Sequence, residues 1–78
     1  MDSTRTPATF AEMAEELGIR RRLMYPVSIV ARVVGVPAST IWDEMAAGRM
    51  RYVLPEGRSK GKMVRPEWVD QWIEEGTV

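Results

Sequence analysis

Apolar residues recur along this chain in two rhythms, one near 3.6 residues and one near two. Phe10, Met13, Ala14 and Leu17 fall at helical spacing, with Glu12, Glu15 and Glu16 outside that stripe. Thr6-Pro7 offers a start with proline in the first helical position, and Thr9-Phe10-Ala11-Glu12 offers an alternative capping box. Gly18 is a C-terminal stop. The spacing predicts an amphipathic helix of about ten residues, marginal alone in water and so packed on this chain's core or on a neighbouring copy.

Tyr25-Pro26 marks a break, because the residue before proline is pushed away from helix. From Val27 a second helical stripe runs through Val30, Ala31, Val33 and Val34, with Arg32 pointing away. Gly35 closes it in a left-handed turn, Val36-Pro37 makes the bend, and a further helix is expected from Ala38 to Ala47, stopped by Gly48. Two short helices around such a turn make a helix-turn-helix. Ala31 is small enough for close crossing, and Ile41 can fill the angle between the helices.

Past Gly48 the period changes. Arg51-Tyr52-Val53-Leu54 reads as a strand, Pro55 to Gly61 as turn chemistry, and Lys62-Met63-Val64-Arg65 as the returning strand of a hairpin. Pro66 then opens a last helix, with Glu67 near its positive end and Gly76 after it. Its stripe is Trp68, Val69, Trp72 and Ile73, and the two tryptophans are the expected main core anchor. The fold class expected is mainly α with a small two-stranded antiparallel wing, a winged helix-turn-helix. Residues 1–5 are expected to be a flexible tail, 6–24 the amphipathic helix and basic connector, and 25–76 the winged domain.

At 78 residues the chain has room for a single core. Its apolar runs are too short to span a bilayer, and no secretory signal is visible, so a cytoplasmic location and no membrane partner are expected. There is no cysteine and no histidine. The common zinc sites and the common acid–base and nucleophilic devices are therefore missing, and the expectation is a protein that is not an enzyme, with no metal and no cofactor.

The formal net charge is zero, but its distribution is uneven. Asp2, Glu12, Glu15 and Glu16 against Arg5 give −3 over residues 1–19, and Glu67, Asp70, Glu74 and Glu75 give −4 over residues 66–78. The ten basic residues between, against Asp43, Glu44 and Glu56, give +7. A basic middle on a helix-turn-helix points to nucleic acid.

The stretch from Tyr25-Pro26-Val27 through Ala31-Arg32-Val33-Val34-Gly35-Val36 resembles the first helix of the excisionase and MerR-like winged-helix group. Ser39-Thr40-Ile41-Trp42 is similar to the start of that group's second helix, Gly48-Arg49-Met50 to the step into its wing, and Pro66-Glu67-Trp68-Val69-Asp70-Gln71-Trp72 to its closing helix. The resemblance spans roughly residues 25–73. A free-standing chain this short looks most like a phage excisionase, or recombination directionality factor. That implies cooperative binding to double-stranded attachment-site DNA, DNA bending, and a phage integrase partner steered toward excision. Pro37 departs from the usual Ser or Thr, and Asp43 and Glu44 depart from the basic second helix of relatives, so no base preference carries over. A small transcription regulator on the same fold is the near alternative, and a protein-interaction adaptor the alternative from another class.

Helix geometry nominates the contacts. At about 100° per residue, Ala38, Ile41 and Met45 face inward, and Ser39, Asp43 and Ala46 outward, flanked by Thr40, Trp42 and Ala47. Such small side chains suit a major groove. Asp43 can accept from cytosine N4, or pair with a neighbouring arginine and position it; Trp42 can meet DNA or pack on the wing. Arg58 and Lys60 at the wing tip, with Arg49, Arg51 and Lys62, are the expected backbone or minor-groove contacts. Arg20, Arg21, Arg22 and Arg32 are either solvated or further phosphate contacts. The stripe of Phe10, Met13 and Leu17 is the expected surface for head-to-tail self-association on DNA.

Overall fold

The computed structural model describes residues 8–55 and 61–77. Among these, the elements run α1 (Phe10–Glu16), β1 (Tyr25–Pro26), α2 (Val27–Val34), α3 (Ala38–Ala46), β2 (Met63–Val64) and α4 (Pro66–Gly76). The molecule is mainly helical with a small two-stranded antiparallel sheet, an architecture compatible with a winged helix-turn-helix.

Of the two helix starts open in the sequence, the one at Thr9 forms. The Thr9 hydroxyl accepts the Glu12 backbone N–H, and the Glu12 carboxylate accepts the Thr9 N–H at 2.8 Å. Two otherwise unpaired donors are satisfied reciprocally, which is why the helix starts there. The Thr9 N–H, then its hydroxyl, holds the Glu12 carboxyl below its ordinary pKa. At seven residues, α1 is shorter than its apolar stripe suggests. Its Phe10 N–H donates to the Asp70 carboxylate of α4 at 2.8 Å, so a side chain sixty residues away finishes the cap.

Phe10 and Ala14 turn into the core. The Phe10 ring meets the wholly buried Tyr25 edge-on, with centroids 4.9 Å apart, and the Tyr25 hydroxyl accepts the Arg22 N–H. Of the stripe Phe10, Met13 and Leu17, expected to pack on this chain's core or on a neighbouring copy, Phe10 packs on the core. Phe10 is interior, and only Met13 and Leu17 remain exposed.

The helix-turn-helix follows from Gly35 and Ile41. Gly35 takes φ 87°, where a side chain would be strained, and its N–H and that of Val36 both return to the Ala31 carbonyl. Pro37 leads into α3 without a side-chain cap. Ile41 is fully buried and Ala31 nearly so, the small residue and the plug of the crossing. Ala38, expected inward, is exposed at the first position of α3.

The sheet differs from the expected hairpin. β2 pairs antiparallel with β1, Tyr25 opposite Val64 and Pro26 opposite Met63. The arms Arg51–Leu54 and Lys62–Arg65 meet at the single pair Val53–Met63, whose two hydrogen bonds are 2.7 and 2.8 Å. The ladder stops there for a covalent reason. The next hydrogen-bonded pair would need Pro55, which has no N–H, and Gly61, whose φ is 85°. Val64 has no exposure, so burial draws β2 against Tyr25 instead.

The core gathers Phe10, Ala14, Tyr25, Val27, Val30, Ala31, Ile41, Met45, Met50, Val64 and Val69. Trp68 and Trp72 are half-buried at its edge, and Ile73 is exposed. The residue of α4 that reaches the centre is Val69, so the expectation that the tryptophans anchor the core is corrected. Helix α1 packs on α4 and α2, and α3 packs on α2. Among the described residues no helix is long and apolar enough to cross a membrane.

Candidate nucleic-acid interface

Helix α3 presents Ser39, Trp42, Asp43 and Ala46 to solvent, with Thr40 partly covered, and seats itself by Ile41 and Met45. The exposed flank is thus the small-residue face that helical geometry nominates. How the chain leaves α3 then sets the charges around it. Gly48 takes φ 78°, the Gly48 N–H returns to the Met45 carbonyl at 3.0 Å, and the Arg49 N–H returns to that of Glu44 at 2.9 Å. This pair of bonds is a Schellman closure, and it carries Arg49 back alongside Glu44.

Arg49 therefore meets Glu44 side chain to side chain: its Nε and Nη2 donate to the two carboxylate oxygens at 2.9 and 2.8 Å. The Trp72 Nε1–H of α4 donates to the same carboxylate at 2.7 Å. The Glu44 side chain is only 18% exposed, unlike Asp43 beside it. The Arg49 guanidinium first, then the Trp72 indole, hold its carboxyl down to about 2, and Glu44 in turn raises Arg49. Among the described residues, the arginine pair on α3 is thus made by Glu44 and not by Asp43. Arg49 enters it with two of its donors committed inside the molecule.

The Val53–Met63 pair fixes the register of the wing arms. Alternation then places Tyr52 and Lys62 on one face as diagonal neighbours, and Arg51 and Arg65 on the other. The Lys62 Nζ lies 4.7 Å from the Tyr52 ring centroid and 4.8 Å from that of Trp42 on α3. Trp42 and Tyr52 are each 41% exposed, so this aromatic–ammonium cluster is at the surface. Arg51 instead lines a cleft of about 200 Å³ with Arg49, Trp68, Gln71, Trp72 and Glu75.

The residues nominated from sequence therefore divide. Ser39, Trp42, Asp43 and Lys62 belong to the α3 flank and the adjoining wing arm. Arg49 and Arg51 gather on the α4 side. Arg58 and Lys60 lie outside the described residues. Arg20, Arg22 and Arg32 are exposed, and Arg21 pairs with Glu15 at 3.0 Å. Two residues escape the sequence reading. Tyr52 becomes visible only once the register at Val53–Met63 is known, and Glu44 only once the closure at Gly48 is.

No family model, no curated protein and no solved structure matches this chain.

Proposed function

We propose that this protein binds double-stranded DNA, with the exposed flank of α3 in the major groove and the wing along the neighbouring backbone. The observation that carries the reading is the Lys62 ammonium lying against Trp42: a wing cation stands beside the small-residue face of the second helix. This arrangement lets a helix enter a groove about 12 Å wide while a flanking arm follows the phosphates. Charge supports it. The basic middle of the chain supplies Lys62 to the wing arm beside α3, and Asp70 of the acidic C-terminal segment is committed to capping α1.

Within DNA binding, the excisionase reading rests on the resemblance over residues 25–73. On it, the protein acts in the cytoplasm of a bacterial host, binds attachment-site DNA cooperatively, bends it and directs a phage integrase toward excision. With Phe10 interior, the part of the stripe left to contact a second copy is Met13 and Leu17, beside the exposed Glu12 and Glu16 of α1, facing a neighbour's basic segment.

The test is a gel shift on mixed-sequence duplex at low salt, followed by footprinting on attachment-region DNA. Retarded complexes that dissolve as salt rises are expected, with tandem protected repeats in the footprint. A single palindromic footprint near a promoter would make the protein a transcription regulator instead. Absence of any shift would remove the DNA reading and favour a protein-interaction adaptor.

A further inference from the structure

We propose that Trp42 and Tyr52 are positioning residues that hold the Lys62 ammonium at the junction of α3 and wing, ready for one backbone phosphate. The inference rests on the DNA-binding reading above and names how one of its contacts is built.

A lysine on a wing arm is a charge on a flexible stem, and it loses rotamer freedom when it engages a phosphate. Two ring contacts oppose that freedom here. The Nζ lies within cation–π range of two rings that come from different elements, 4.8 Å from the Trp42 centroid and 4.7 Å from that of Tyr52. The rings use the ammonium's charge without accepting all its hydrogens, and an ammonium has three to donate. Arg49 contrasts with it, since its Nε and Nη2 already donate to Glu44. The position also matters: Trp42 is on the exposed flank of α3, so a cation over its ring stands at the lip of any groove that α3 enters. A point charge without fixed donor geometry suits a phosphate rather than a base edge. Both rings are 41% exposed, more than the core asks of them.

The experiment is fluorescence anisotropy of the full chain on a labelled mixed-sequence duplex across a sodium chloride series. Lys62→Met keeps the stem and removes the charge; the magnitude of the log–log salt slope should fall by about 0.9, one phosphate's worth. Trp42→Leu and Tyr52→Leu should each weaken binding about two- to fivefold, the equivalent of one exposed cation–π contact, with the slope unchanged because Lys62 stays charged. Tyr52→Phe keeps the ring face and should bind as the parent does. In the Lys62→Met background, Trp42→Leu should have no further effect, which separates positioning from direct contact between the indole and DNA. An unchanged slope in Lys62→Met overturns the proposal, and so does additive loss in the double variant. Failure of the parent chain to bind any duplex removes the DNA reading itself, a result distinct from both.

Discussion

Glu44 and Asp43 are neighbours in sequence with opposite fates. Asp43 is exposed on the outer flank of α3, while Glu44 turns under it and accepts from Arg49 and from the Trp72 indole of α4. Because the Glu44 carboxyl is held at about 2 against an ordinary 4.5, its contribution to stability is present above pH 4.5 and lost as pH falls toward 2. Glu44→Gln should therefore lower the unfolding midpoint at neutral pH and flatten its fall between pH 4.5 and 2. A thermal melt series across that range checks it. Arg49→Ala should likewise lower the midpoint, yet leave the salt dependence of DNA binding close to the parent's, since this guanidinium is already paired. An anisotropy salt series on that variant would show a clear drop in slope if Arg49 were instead a phosphate ligand.

At the scale of elements, boundaries follow local chemistry that the sequence displays openly. Thr9 and Glu12 start α1, Gly35 ends α2, Gly48 ends α3 and Pro66 starts α4. Gly35→Ala should cost about 1–2 kcal/mol, because a side chain at φ 87° clashes with its own carbonyl region. For a domain of this size each kcal/mol should appear as roughly 4–8 °C in the calorimetric midpoint. Ile41→Ala, which empties the crossing of α2 and α3, should cost about 2–5 kcal/mol and abolish DNA binding along with the fold. What was not legible depends on long-range partners. Tyr25-Pro26 reads as a break because nothing local announces that Val64 lies opposite it. Trp68 and Trp72 look like the anchor by size, but helical phase at the α4 seat selects the smaller Val69. Phe10 reads equally as core or docking stripe until Tyr25 and Asp70 are placed against it. The outer face of α3 needed only the 3.6-residue period and was legible; the sorting of Lys62 from Arg49 and Arg51 needed the register and the closure at Gly48.

At the scale of the whole molecule, folding turns a sequence pattern of acidic, basic, acidic into a pattern in space. Helix α1, with Glu12, Glu15 and Glu16, packs on α4, whose Glu67 pairs with Arg65 at 3.2 Å and whose Glu75 lines the cleft with Arg49 and Arg51, while α3 packs on α2. A zero net charge then coexists with a surface that can attract a polyanion on one part and repel it on another. The most direct measurement is an amide and indole chemical-shift map of the labelled protein titrated with a short mixed-sequence duplex at low salt. The largest shifts are expected at Ser39, Trp42, Asp43, Ala46, Tyr52 and Lys62, with Glu12, Glu16 and Glu74 nearly unmoved. Shifts concentrated on α1 and α4, with the α3 flank and Lys62 unchanged, would contradict the DNA-binding reading.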